Sequence, residues 1–448
     1  MTKDMTKGPV FSQLVRFTVP LIFGNLLQMT YNAADSMIVG RFVGKEALAA
    51  VGTSNPLMTL VLLFTNGICL GAGILVSFHY GAKEEKILKR QVSTGMGAGI
   101  VFSAAVGVLI ALLAGPVLRL LRVDEAILEQ AAGYLRIIMM GLVFSFIYNY
   151  LASILRAMGD ARSPLIFLGI SALLNIGGDL FLVAFLRMGI FGAALSTFIC
   201  EMLSALLCWI YVYRKVPLLR LGKGWLTMDA GLLKTTVSYG IVSALQQSTV
   251  QMGKLFVQAF VNTLGVTSTA AFNAVNRTDD YAIVPEQNIA HAVSSMMAQN
   301  VGAKKKDRVY RSFFCGMALE LGYGLLAGIV LFSLADPLMH LFTTDSEVIR
   351  EGAGYLRLIA FMYPVPALTN GIQGYFRGTG DLKITLISSF LNMLVRVIAC
   401  WILIFRMGMR FEVLPWSYLA GWAAMCVFEI PFLLYTMHKD RGRGGDDL

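Results

Sequence analysis

Charge is the scarcest feature of this chain. Asp, Glu, Lys and Arg make up 14% of its 448 residues, against 56% hydrophobic, where a soluble protein is about a quarter charged. The shortage excludes the two or three soluble domains that such a length would otherwise suggest and predicts a polytopic membrane protein. Cysteine is scarce too. Cys69, Cys200, Cys208, Cys315, Cys400 and Cys426 all fall in apolar runs and none forms a CxxC pair. That excludes a disulfide framework and a thiolate metal site, and leaves reduced packing residues. No HExxH, nucleophile elbow or phosphate loop occurs, so no enzyme is predicted. His79 and His291 stand alone and are read as structural. Residues 1–13 contain lysines but no short apolar core followed by a small-residue cleavage site, so no cleaved signal peptide is expected. The net charge is +10, yet the basic residues are scattered through short loops. That excludes nucleic acid as a partner and marks them as topology signals.

What the chain has in quantity is long apolar runs. Twelve spans are predicted, at 14–40, 47–78, 92–118, 132–155, 163–186, 190–213, 234–263, 268–300, 310–334, 351–376, 383–405 and 414–437. The second and eighth are long enough to be tilted or broken. With the N-terminus inside, the basic stretches 83–90, 214–223 and 304–311 become cytoplasmic, which places both termini inside.

The halves repeat. Ala132-Gly133-Tyr134-Leu135-Arg136 returns as Ala353-Gly354-Tyr355-Leu356-Arg357, and Gly81-Ala82-Lys83 as Gly302-Ala303-Lys304. Arg156-x-x-Gly159-Asp160 returns as Arg377-x-x-Gly380-Asp381, and all three matches share an offset of 221 residues. Arg187-Met188-Gly189 returns as Arg406-Met407-Gly408, two residues short of it. Six spans per half give both halves the same orientation. That predicts an all-α protein of two six-helix lobes, a parallel repeat with its site between or within the lobes. The lobes are expected at 1–216 and 234–438, with a cytoplasmic linker at 217–233 and a tail at 439–448. Gly67-x-x-x-Gly71, Gly95-x-x-x-Gly99 and Gly324-x-x-x-Gly328 predict close helix contacts.

Against this apolar background the ionisable residues are informative, because a charge inside a span is costly and by default functional. In the first span Asn25, Gln28, Asn32 and Asp35 are spaced 3, 4, 3 and share one helix face. Pro20 is expected to kink or loosen that helix. In the fifth span Asn175 and Asp179 are i, i+4 neighbours, and Thr197 opens the sixth. Counting about 1.5 Å per residue from the span ends puts Asp35, Asp179 and Thr197 in the same outer half of the bilayer. The sequence therefore allows one site of Asp35, Asn175, Asp179 and Thr197. Two carboxyls with amide and hydroxyl oxygens suit H⁺ or Na⁺, and no cofactor is called for.

The second half differs. Matching Leu174-Asn175 to Leu391-Asn392 maps Asp179 onto Arg396, and Asp35 maps onto Gly253 or Lys254. The eighth span carries Arg277, Asp279, Asp280 and Glu286. Lys254 and Arg396 are therefore expected to be held by acids of that span, Asp280 or Glu286, because a lone cation there costs several kcal/mol. Glu201, Glu320 and Glu429 are read as locally paired.

The first-span pattern Pro20…Asp35-Ser36-Met37-Ile38-Val39-Gly40, the Asn175-x-x-x-Asp179 pair and the two Arg-x-x-Gly-Asp turns resemble the multidrug and toxic compound extrusion (MATE) family over essentially the whole chain. The resemblance implies twelve helices in two six-helix lobes set in a V. It also implies an antiporter that exports organic, often cationic, compounds in exchange for H⁺ or Na⁺. Asp35, Asn175, Asp179 and Thr197 then resemble the first-lobe cation site of the DinF-like branch. The NorM-like branch has acids in spans seven and ten, where this chain offers Gln246, Gln247, Gln251 and Lys254. Pro20, Asn25, Gln28, Asn32, Gln247, Lys254, Asp280, Glu286 and Arg396 become substrate-pathway or supporting residues. The implied partners are small organic substrates and membrane lipids. The implied setting is a monomer in a bacterial inner membrane. Two alternatives compete. A lipid or lipid-linked-precursor flippase of the same wider superfamily would carry a more cationic cavity and often extra helices. A major-facilitator-type transporter would carry Gly-x-x-x-Asp-Arg-x-Gly-Arg-Arg after span two, where this chain reads Gly81-Ala82-Lys83-Glu84-Glu85-Lys86.

Overall fold

The computed structural model describes residues 3–220 and 228–442, and every regular element among them is helical. The first half contains α1 (Val10–Phe42), α2 (Lys45–Gly81), α3 (Glu85–Leu120), α4 (Glu125–Ala157), α5 (Arg162–Asp179) and α6 (Gly189–Lys215). The second contains α7 (Ala230–Asn262), α8 (Val266–Gly302), α9 (Lys306–Ser333), the short α10 (Ala335–His340), α11 (Ser346–Ala360), α12 (Pro364–Thr379), α13 (Leu382–Trp401) and α14 (Pro415–Gly442). A π-helical turn continues α5 over Leu180–Phe185, and another continues α13 over Ile402–Arg406.

All twelve predicted spans fall on helices, with one departure. The tenth is broken into α11 and α12. Pro364 and Pro366 follow Phe361-Met362-Tyr363 there, and proline suits the first turn of a new helix but not the interior of an old one. The second and eighth are not broken. α2 and α8 each run 37 residues without interruption through Pro56 and Pro285. That is about 55 Å of helix, well beyond a hydrocarbon layer of about 30 Å. Likewise α1 runs unbroken through Pro20. Among the described residues, nine helices are long and apolar enough to cross a membrane. The spans below that mark all lie in the second half. α7 and α8 carry its polar and charged residues, and the tenth is divided between two short helices.

The repeat is written in the backbone. α2 and α8, α3 and α9, and α4 and α11 each begin 221 residues apart. Gly44 and Gly265, and Gly159 and Gly380, sit in the positive-φ region at the same offset. So do Lys83 (φ 58°) and Lys304 (φ 55°), where a side chain ordinarily disfavours a left-handed backbone. Both lysines follow long helices and end them with the same turn.

The helices form two compact units. One comprises residues up to Asp4 with Val19–Ala244, the other Met5–Thr18 with Leu245–Leu448. The division falls inside α1 and α7, not in the expected linker. Each half's first helix thus starts in one unit and finishes in the other. Close packing explains why α7 begins in the first. A Cβ at Gly71 would lie 2.7 Å from the Gly240 amide nitrogen, and one at Gly67 2.7 Å from Ala244. The segment before α1 is held by the second unit. Met5 donates its amide to Gln299 Oε1 at 3.0 Å, Arg308 donates to the carbonyls of Met5 (2.9 Å) and Gly8 (2.7 Å), and Lys305 to that of Thr6 (2.8 Å). Of the expected linker, residues 221–227 lie outside the described residues, as do 443–448 of the tail. Buried apolar side chains form two clusters in the first unit and one in the second.

Candidate functional site

The four residues expected to share a site do come together in the first unit. Asp179 is the last α-helical residue of α5, immediately before its π turn. π turns loosen the backbone ladder and recur where a helix carries a functional group. Its carboxyl is fully buried and lies against that of the half-buried Asp35 on α1. Ser196 stands near Asp179, but no donor reaches either Asp179 oxygen, or Asp35 Oδ1, in hydrogen-bond geometry. Asn175, one turn earlier, donates Nδ2 to Ser196 Oγ at 3.3 Å and to Thr197 Oγ1 at 3.5 Å on α6. Its Oδ1 also has no donor. Among the described residues, no ion pair joins either aspartate to a lysine or arginine. Two adjacent carboxyls in a low-dielectric site do not both stay charged and empty, so one proton or one hard cation between them removes the repulsion.

Four side chains at this site escaped the sequence reading. Ser196 is closer to Asn175 than Thr197 is, and it returns a hydrogen bond to the Asn175 carbonyl at 3.1 Å. Tyr134 and Tyr31 stand near Asp35, and Tyr134 also near Asp179. Glu201, read as locally paired, neighbours both tyrosines and Ser145. Two signals were available: Glu201 follows Thr197 by one helical turn, and Tyr134 belongs to a repeated motif. The polar stripe of α1 otherwise remains open. Asn25, Gln28 and Asn32 are exposed, Pro20 half-buried, and Gln28 bonds the Tyr31 hydroxyl.

In the second unit, Lys254 donates to Asp280 Oδ1 at 2.8 Å, as expected. Arg396 does not pair with Asp280 or Glu286. Its guanidinium carbon sits 4.0 Å from the Tyr418 ring centre and 5.4 Å from that of Trp422, with Asp279 nearby. Glu286 instead accepts from Asn370 Nδ2 at 3.3 Å. Gln247 Nε2 has no acceptor. Its neighbour Gln246 is the engaged glutamine, donating to Gln373 Oε1 at 3.0 Å and Ser389 Oγ at 3.2 Å.

The mapping of Asp179 onto Arg396 is corrected by one helical turn. In the 221-residue frame Arg396 takes the place of Asn175 and Cys400 that of Asp179. The contacts agree. Arg396 meets Tyr418 where Asn175 meets Thr197, and Cys400 lies beside Ser417 where Asp179 lies beside Ser196. A slip of four residues keeps the same helix face, so the Leu-Asn match could not reveal it. The second unit thus has a thiol where the first has its buried carboxyl.

The MatE family profile matches residues 20–181 and 243–402, once in each half. The probable multidrug resistance protein YpnP of Bacillus subtilis (strain 168) is 31% identical over 400 residues, 87% of this chain and 87% of its own. The probable multidrug resistance protein YoeA of the same strain is 29% identical over 398 residues, 87% of this chain and 86% of its own. The crystal structure of MATE in complex with MaD3S shares the fold, with a TM-score of 0.92 at 19% identity over 98% of this chain and 100% of that one. Matched in both halves, this chain belongs to the MatE family, whose members are multi-pass membrane transporters and not enzymes.

Proposed function

We propose that this chain is an antiporter that exports small organic compounds, many of them cationic, in exchange for H⁺ or Na⁺, with Asp35 and Asp179 as the coupling pair. One observation carries this reading: two carboxyls lie against each other in the first unit, with three of their oxygens buried and without donors. Asn175, Ser196 and Thr197 supply the neutral oxygens around them. The names of the two Bacillus subtilis relatives support drug export. The stripe Asn25, Gln28 and Asn32 suits a polar stretch of the substrate pathway, because exposed amides are poorly placed against lipid. Gln247 and the Lys254–Asp280 pair would face substrate in the second lobe. In this reading the protein works as a monomer in a bacterial plasma membrane and needs no cofactor. Both termini and the 217–233 linker are cytoplasmic, on the side of the basic turns at Lys83 and Lys304.

The test is substrate efflux from proteoliposomes with a proton or a sodium gradient imposed separately. One gradient should drive accumulation. Asp35→Asn and Asp179→Asn should each reduce it to the level of protein-free vesicles while leaving expression intact. Wild-type rates in either variant would remove the shared site.

A further inference from the structure

A second set of buried acids lies in the second unit, on residues the coupling pair does not use. Glu286 on α8, Glu320 on α9 and Glu429 on α14 are all fully buried. Arg377, at the end of α12, has both Glu320 and Glu429 as electrostatic neighbours, and Glu320 in turn neighbours Glu286. The donors around them are spent elsewhere. Arg377 donates to Gln373 Oε1 at 2.8 Å, Gln373 donates to Ser389 Oγ at 3.1 Å, and Ser388 to the Thr385 carbonyl at 3.1 Å. Ser388 and Gln373 stand near Glu429 and the Ala290 amide near Glu320, yet neither oxygen of Glu320 or of Glu429 has a donor in hydrogen-bond geometry, and neither does Glu286 Oε1. Ionised carboxylates in a protein interior collect such donors. These do not.

Charge balance sharpens the point. Three carboxylates and one guanidinium leave two negative charges uncompensated, and each buried charge costs several kcal/mol. Neighbouring groups do not supply the difference. Lys254 and Arg396 are matched by Asp280 and Asp279, Asp279 being itself an acidic neighbour of Glu286, and the remaining groups facing the acids, Tyr323, Tyr363 and Cys426, are neutral. A metal cation is a poor candidate beside a guanidinium, and among the described residues no group of three His, Cys, Asp or Glu side chains is placed to hold one. The set is also peculiar to this half. In the 221-residue frame Arg377 matches Arg156, but Glu286, Glu320 and Glu429 match Thr65, Gly99 and Cys208.

We infer that the second lobe carries its own proton site, in which Glu286, Glu320 and Glu429 around Arg377 hold two protons between them. Each proton converts one carboxylate to a neutral acid, and two make the set neutral. Opening the site to water would let the protons leave, because a hydrated carboxylate and guanidinium need no compensation. That these protons take part in transport rests on the antiport reading. That the site binds them does not.

The experiment is infrared spectroscopy of the full chain in lipid nanodiscs, with the first-lobe acids removed as Asp35→Asn, Asp179→Asn and Glu201→Gln. A protonated-carboxyl band should remain at neutral pH, disappear reversibly on alkaline titration, and ignore added NaCl. Adding Glu320→Gln or Glu429→Gln should halve it, because one proton then suffices. Adding both should abolish it. No band at neutral pH, a band that alkali does not remove, one that Na⁺ displaces, or one that neither substitution reduces would each overturn the proposal. Where a glutamine variant folds poorly, the pH and NaCl titrations of the background protein decide alone. Loss of efflux in a separate assay bears only on the antiport reading.

Discussion

Arg156 ends α4 beside Tyr148, Cys69 and Cys208, whereas Arg377 ends α12 beside Gln373, Glu320 and Glu429. The two arginines occupy one place in a repeated backbone, each followed three residues later by the same Gly-Asp turn. Their surroundings differ, a neutral set in the first half and an acidic one in the second. The Asp35–Asp179 pair shows the reverse difference, since Asp179 in the first lobe corresponds to Cys400 in the second. Backbone features such as the left-handed turns at Lys83 and Lys304 are shared by the halves, while buried charge is not. Removing each arginine tests this contrast most strongly. Removing the counter-charge of a buried charge costs about 3–5 kcal/mol. Arg377→Gln should therefore lower thermal stability by about that much. Arg156→Gln should cost far less, because no carboxylate is left behind among its neighbours. Equal losses in thermal unfolding would erase the contrast.

Much of the fold could be read from the sequence because membrane helices are long, uniform and punctuated. Runs of apolar residues located every span, and the matched Gly-Ala-Lys and Arg-x-x-Gly-Asp turns located the repeat. The Asp35–Asp179 pair was legible for the same reason: a carboxylate is conspicuous where almost everything else is apolar. Register was harder. The Leu174-Asn175 match pointed to Leu391-Asn392, but the Gly159 and Gly380 turns and the contacts of Arg396 and Cys400 place the frame one turn further on. Partners were harder still. Ser196 and Thr197 are adjacent and chemically alike, so only the rotation of α6 decides which is nearer Asn175. Arg396 was expected to find an acid, and it lies over Tyr418 and Trp422 instead. Aromatic rings are abundant in any membrane span and announce nothing.

A second contrast is smaller and works in the opposite direction. Asp160, between α4 and α5, accepts from the Ser163 amide at 3.1 Å, the Ser163 hydroxyl at 2.8 Å and the Tyr211 hydroxyl at 2.9 Å. Its counterpart Asp381 is exposed, and Ile384 and Phe432 stand where Ser163 and Tyr211 would be. Burial pushes the Asp160 carboxyl up, but the donors outweigh it and hold the group below the usual carboxylate range. A depressed carboxyl contributes its stability above the unfolded value, about pH 3.9, and loses it as pH falls through the folded value. Asp160→Asn should therefore cost about 1–2 kcal/mol at neutral pH, with the gap to wild type closing in acid. Asp381→Asn should cost less at every pH. A pH-independent deficit at Asp160 would mean that packing, not charge, sets its contribution.

The smallest expected effect concerns Lys254 and Asp280, the ion pair of the second lobe. Their nitrogen and oxygen are 2.8 Å apart, but the side chains are 32% and 46% exposed. Solvent screens such a pair, and exposed pairs typically contribute about 0.2–1 kcal/mol. A double-mutant cycle with Lys254→Gln and Asp280→Asn should then give a coupling energy of no more than about 1 kcal/mol, decreasing with added salt. The cycle of Lys254→Gln with Glu286→Gln should be additive, because Glu286 bonds Asn370 and not the lysine. The comparison between lobes makes this informative. If Lys254 were the buried counterpart of Asp35, its coupling to Asp280 would be several kcal/mol and insensitive to salt. A weak, salt-sensitive value places the pair at a wetted surface. A large one would mean that the second lobe keeps a dry, charge-reversed copy of the first lobe's site.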